Sequence, residues 1–196
     1  MLCGVVLSET EDEDSSVAFL SDDVESFTVS SNEEIVELVK DRKPSIIAVN
    51  TGLEERRPLS DEEEELQEEG FIFTPAKDDV KRVRRFQALK AHIAHELTGD
   101  EIPEYIRFDP VITGKELAAD SDSALGGYGV DPSDIDSSNE FDAALGAVTA
   151  RFFQENQVRD LSVSVPVPLR EENGKEIKKD PREGESERIP DEEDVR

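Results

Sequence analysis

The order of apolar segments predicts an α/β fold: a mixed β-sheet with helices on both faces. Three observations carry this expectation. Three short apolar stretches fall within the first 30 residues, separated by acidic turns, as in an antiparallel meander. Segments of helical periodicity then alternate with short, continuous apolar runs. The length of 196 residues suits one domain, or one domain and a tail.

Residues 2–7 (LCGVVL) read as a buried strand, and 17–20 and 25–29 as its partners. Ser31 or Asn32 opens a helix carrying Ile35, Val36, Leu38 and Val39, with Glu34 at capping-box spacing from Ser31. After Pro44, residues 45–49 (SIIAV) form a continuous apolar run typical of a central strand, ended by the Asn50-Thr51-Gly52 turn. Nine acids crowd residues 54–69, where Ser60 and Asp61 open a short helix that Gly70 stops. Residues 71–74 (FIFT) read as another strand, closed by Pro75. Asp78 or Asp79 starts the longest helix, with Val83, Phe86, Leu89, Ile93 and Leu97 on one side and Gly99 as its stop. Residues 105–108 (YIRF) predict a strand ending at Asp109-Pro110. Residues 113–138, rich in Gly, Ser and Asp, read as loop. Ser137 or Ser138 caps a last helix that turns Phe141, Leu145, Val148 and Phe152 inward. Residues 161–167 predict an edge strand, since Pro166 and Pro168 cannot donate to a ladder. The expected division is a folded domain over 1–170 and a disordered acidic tail over 171–196, which has no aromatic residue and no periodicity.

Charge bounds where such a chain works. There are 49 Asp and Glu against 22 Lys and Arg, a formal net charge of -27. The tail holds 11 acids and 6 bases, so -22 remains on the first 170 residues. Charge spread over a body with apolar periodicity argues against disorder throughout. It fits a surface adapted to molar salt, where screening removes self-repulsion and carboxylates keep the protein soluble. An acidic partner surface for basic proteins is the other reading. Only 9 of the bases are Lys, and Trp is absent. Cys3 is the single cysteine, so no intrachain disulfide forms, and the expectation is a reduced thiol in a cytoplasmic protein. No basic leader precedes a long apolar stretch, and no window approaches 18 apolar residues, so neither a signal peptide nor a membrane span is expected.

Three meander strands followed by alternating helices and strands match the arrangement of ribonuclease-H-like folds. Three segments add a closer resemblance: residues 46–76 (IIAVNTGLEERRPLSDEEEELQEEGFIFTPA), 105–110 (YIRFDP) and 140–153 (EFDAALGAVTARFF). In order and spacing they resemble a predicted nuclease family catalogued as domain of unknown function 429, in a divergent, haloarchaeal-type form. Arg57, Asp61, Leu66, Gly70, Phe71, Phe73 and Pro75 fall in that family's pattern, and the closing Asp-Ala helix is similar to residues 140–153. The resemblance spans about residues 2–168 and implies a ribonuclease-H-like fold.

It also implies a chemistry. Nucleases of this class gather three or four carboxylates from the first strand, the end of the central strand and the last helix. These hold one or two Mg²⁺ or Mn²⁺ ions, hard cations that need oxygen ligands, and the ions serve phosphodiester hydrolysis. Here only Asp142 matches directly. The first-strand position falls at Leu7 or Ser8, with Glu9 the nearest acid. The central-strand acid is Asn50, and a family Glu aligns with Arg107, with Asp109 two residues on. The implied catalytic set is Asp142, Asp109 and Asn50, joined by Glu9 as a metal ligand. Each has a plainer reading: Asp142 in a favourable first helical turn, Asn50 and Asp109 as turn residues, Glu9 as one acid among many. The chemistry is thus either a metal-dependent nuclease with acids partly lost or a non-catalytic binding or regulatory module on the same fold.

Two other features bear on partners. Lys81, Arg84 and Arg85 share a helix face in a chain otherwise acidic. They suit pairing with the acidic 61–69 helix first, and contact with nucleic-acid phosphates as the other reading. His92, His95 and Glu96 form HIAHE, which is not the zinc-protease order HExxH, and they read as surface residues. No phosphate-loop lysine motif, GxGxxG or CxxC pair is present.

Overall fold

A computed structural model of the chain describes residues 1–177, apart from 12, 56–59, 76–77, 120–121, 132, 134, 161–162, 169 and 173–174. Strands β1 (Leu2–Val6), β2 (Ser15–Leu20) and β3 (Val24–Val29) form the expected antiparallel meander. Strands β4 (Ile46–Val49) and β5 (Glu104–Arg107) then add in parallel on the other side of β1. The sheet order is β3-β2-β1-β4-β5. Every residue of β1 and β4 is buried, as a strand covered on both faces requires.

One face carries α1 (Asn32–Arg42) and α3 (Val80–Glu96), whose Ile35, Val39, Phe86, Leu89 and Ile93 pack on Cys3, Val5, Ile47 and Val49. The other carries α5 (Ser138–Gln154), packed through Ala143, Ala144, Ala147 and Val148 on Leu2, Ala18, Ala48 and Ile106. The crossovers from β3 to β4 and from β4 to β5 advance in the same direction across the sheet, so a single hand puts α1 and α3 on one face and leaves the other to α5. The fold is a ribonuclease-H-like α/β sheet, as the element order predicts. Contact between α5 and β1 is unusually close: a Cβ on Gly4 would lie 2.0 Å from the Ala143 carbonyl oxygen, and one on Gly146 3.0 Å from the Gly4 Cα. No other residue fits either position, and that closeness holds the middle of α5 against the sheet.

Caps agree with the sequence. Ser31 caps α1 through the Glu34 amide, and Ser137 caps α5 through the Glu140 amide. Ser60 and Glu63 form a reciprocal capping box on α2 (Asp61–Glu68). Asp79 precedes α3, which ends at Glu96 with Leu97 at its C-cap; Gly99 starts a separate 3-10 turn instead.

Three expectations are corrected. Residues 71–74 are not a strand: Phe71 is buried beside Leu66, Ile112, Val163 and Val165, while Ile72 is 84% exposed. The parallel neighbour of β4 is β5, so this segment caps a small satellite core. Residues 113–138 are not mostly loop, because Asp109 and Pro110 start α4 (Pro110–Glu116), and a 3-10 helix spans Asp122–Tyr128. Proline at the first helical position and a capping Asp are a helix signal that the Gly and Ser content hides. The described residues of 161–167 contribute β7 (Ser164–Pro166), paired with β6 (Val158–Asp160) in a sheet of its own rather than at an edge of the main one. The start of the expected tail forms a hairpin of β8 (Arg170–Glu172) and β9 (Lys175–Ile177); its remainder, 178–196, lies outside the described residues. Among the described residues no helix is long and apolar enough to cross a membrane.

Candidate functional site

Strands β1, β4 and β5 run parallel, so Leu7, Asn50 and Asp109 all follow the carboxyl ends of neighbouring strands. Crevices at that end are where open α/β sheets bind ligands. The first turn of α5 reaches the same end. Glu140 fixes it there: its carboxylate accepts from Thr28 Oγ1 (2.8 Å), Ser26 Oγ (3.1 Å) and the Asp136 amide (2.9 Å). Burial pushes the Glu140 pKa up, but these hydrogen bonds outweigh it and hold the group below the usual range.

Two of the implied acids come together. Asp142 lies two residues after Glu140, half-buried, and Asp109 lies beyond β5, also half-buried. Burial and then the charge of Asp109 push Asp142 up to about 6. Asp109 is raised by burial, against the pull of the Ile112 and Val111 amides and of Arg107. One oxygen of Asp109, Oδ1, accepts both amides at 3.1 and 3.0 Å, capping α4. Asp142 opens onto a cleft of about 430 Å³ lined by Pro110, Val111, Lys115, Phe141 and Leu145.

The other two implied ligands are engaged elsewhere. Asn50 extends the β1–β4 ladder by one residue with its side chain. Its backbone amide donates to Val5 O (3.2 Å), its Oδ1 accepts the Leu7 amide (2.8 Å), and its Nδ2 faces Leu7 O at 3.5 Å. An amide suits this role because it donates and accepts; a carboxylate would set charge against the Leu7 carbonyl. Glu9 bonds Lys81 Nζ at 3.1 Å, on the α3 side of the sheet. Arg107, in the place of the family Glu, is buried and pairs with buried Glu63 of α2 at 2.7 Å while donating to Thr74 O at 2.7 Å. A cation there needs a buried counter-charge, and the capping box of α2 supplies it. Among the described residues no group of three His, Cys, Asp or Glu is placed to hold a metal.

The basic cluster divides. Lys81 and Arg84 are 74% and 68% exposed and pair with Glu9 and Glu55 rather than with the acidic 61–69 helix. Such solvated pairs leave both cations within reach of a partner. Arg85, expected on that surface, is 7% exposed. Its Nε donates to Asn32 Oδ1 (3.1 Å) and its Nη1 to the carbonyls of Ser8 (3.1 Å) and Thr10 (2.8 Å), pinning the turn after β1. Helical spacing gave its face but not its depth. His92 and His95 stay on α3, where the neighbouring Glu96 pairs with Lys40 at 2.6 Å. Sequence reading missed Glu63, Glu140 and Lys115. The capping patterns Ser60-x-x-Glu63 and Ser137-x-x-Glu140 were signals for the first two; Lys115 had none.

No family model matches the sequence, and no curated protein matches it. Among solved structures the chain is similar to RuvC of T. thermophilus in complex with a Holliday junction substrate. The identity is 12% and the TM-score 0.49, covering 85% of this chain and 100% of that one. The strand order is what defines the fold class, and the site is read from the residues of this chain.

Proposed function

We propose that this chain is a nuclease-like protein, related to the predicted nuclease family it resembles, whose remaining active site is the Asp109–Asp142 pair. The observation that supports it most is the placement of two half-buried carboxylates at the carboxyl end of the sheet, where burial and then the charge of Asp109 raise Asp142. Placing like charges together there costs stability unless something positive occupies the space between them. The donor set fits one Mg²⁺ or Mn²⁺: such ions bind through one or two carboxylates and complete their shell with water and phosphate oxygens. Asp142 and the second oxygen of Asp109 would hold the ion. It does not fit two ions, since Asn50, Arg107 and Glu9 are otherwise engaged. When bound, the ion supplies a Lewis acid for phosphodiester hydrolysis. Lys81 and Arg84 are the surface cations for a nucleic-acid strand; Arg85 acts through the turn it pins. The spread of acids over the folded body supports work in high salt inside the cell.

The alternative is a non-catalytic binding or regulatory module on the same fold, favoured by the use of Asn50 as a ladder residue. One experiment separates the readings. Protein in molar KCl is assayed on single- and double-stranded DNA and RNA with Mn²⁺, beside Asp142→Ala. Mn²⁺-dependent cleavage lost in the variant sustains the nuclease. Nucleic-acid binding without cleavage transfers the assignment to the module. No Mn²⁺ bound by the wild type sinks the metal site.

A further inference from the structure

In a chain where acids outnumber bases by more than two to one, a lysine that lacks a carboxylate partner is unexpected. Lys40, Lys43, Lys81, Arg84 and Arg159 each hold one, whereas Lys90 and Lys115 lie over the rings of Tyr105 and Phe71. Lys115 forms no ion pair within contact distance of any described residue, and its charge is among those that hold Glu69 below the usual carboxylate range; of the two ring-bound lysines it is the one that faces a cleft. Its ammonium sits 4.2 Å from the centroid of the Phe71 ring, and it lines the same cleft as Asp142. An aromatic face orients an ammonium without using its N–H donors, so all three remain for a ligand. Lys115 and Asp142 are of opposite charge and share one cleft, yet they do not pair. The wall between and around them is apolar: Pro110, Val111, Phe141 and Leu145. A volume of about 430 Å³ is that of a small-molecule pocket rather than of a groove that tracks a duplex.

We infer that this cleft receives one nucleotide-sized unit, its phosphate held by Lys115 and its base against the apolar wall. The inference rests on the proposed reading of Asp142 as a site residue and adds the class of ligand. Lys115 is a binding and positioning residue here, while Asp142 repels the phosphate when no cation is bound. In molar salt the Debye length falls to about 3 Å, so only a contact of this kind selects an anion.

Calorimetric titration in molar KCl with EDTA tests it, using adenosine 5′-monophosphate as the probe and adenosine beside it. Saturable nucleotide binding is expected, weakened about tenfold or more in Lys115→Gln, the size of one charge-assisted hydrogen bond. Lys115→Arg restores it, and adenosine binding is unmoved by either change. Asp142→Asn tightens the nucleotide several-fold by removing the opposing charge. Lys115 is exposed, so its variants keep the wild-type unfolding curve. Absence of saturation, equal affinity in Lys115→Gln, or an Asp142→Asn affinity identical to wild type overturns the inference. The metal reading is judged apart: Mn²⁺-dependent cleavage alongside nucleotide binding indifferent to Lys115 keeps that reading and removes this one. Lys115-dependent nucleotide binding in a protein that binds no Mn²⁺ does the reverse.

Discussion

Over β1 and β4, the carboxyl end of the sheet is closed by its own polar groups; over β5 and α5, it is left open. In the closed half, Asn50 bonds both backbone groups of Leu7, Asp79 accepts from Thr51 Oγ1 at 2.7 Å, and Arg85 ties down the turn at Ser8 and Thr10. In the open half, burial and the charge of Asp109 raise Asp142 beside a cleft that is also lined by Lys115, which forms no ion pair among the described residues. Polar side chains of similar kinds thus stabilise one half and sit at a cost in the other. In a chain of 49 acids, the informative carboxylates are those whose environment disfavours their charge, because solvated ones report only the surface.

Four substitutions break or sharpen that contrast. The largest effect belongs to Arg107→Ala, which leaves Glu63 buried without its cation and frees Thr74 O. A loss of about 3–5 kcal/mol is expected in urea unfolding at constant KCl. It also removes a charge that holds Asp109 down, so Asp109 titrates at higher pH in carboxyl-resolved NMR. Next comes Arg85→Met, which opens the closed half by stranding the carbonyls of Ser8 and Thr10. It costs about 1–3 kcal/mol and raises amide exchange over residues 8–14. Asn50→Asp converts the closed half toward the open one. It sets a carboxylate against Leu7 O, costs about 1–2 kcal/mol, and tightens Mn²⁺ binding by supplying a further charged oxygen. An unchanged Mn²⁺ affinity would separate Asn50 from the Asp142 site altogether.

The smallest effect is the pH dependence of Asp142. Its folded pKa lies above its unfolded value, at about 6. The folded state therefore binds the extra proton, and stability declines as pH rises from about 4 to about 6, then levels off. Asp142→Asn removes this slope and is more stable than wild type at pH 7 by about 1 kcal/mol, allowing for partial solvent screening. Unfolding curves at pH 4 and pH 7 in equal KCl measure it; a slope that persists in the variant assigns the titration to another group.

Local signals were enough for most of the frame. Ser31, Ser60 and Ser137 marked three helix starts because capping depends on residues within one turn. The continuous run at 46–49 announced a strand buried on both faces. Residues 71–74 were misread because a strand-like composition also suits an extended segment that buries one ring, Phe71, without a sheet partner. The helix over 110–116 was missed because its cap and proline lay at the end of what looked like a strand.

The sequence by itself determined the acidic surface, the element order and the absence of acids at Leu7, Asn50 and Arg107, since these are properties of residue types and their spacing along the chain. Tertiary structure alone decided what replaced them. Glu63 lies 44 positions from Arg107, Asn50 43 from Leu7, and Arg85 77 from Ser8, so no local pattern pairs them. The same holds for Asp142, whose raised pKa comes from burial and from Asp109 across the contact between α4 and α5. A charge acquires chemical meaning from its neighbours and its distance from water, and both are set only when the chain is folded.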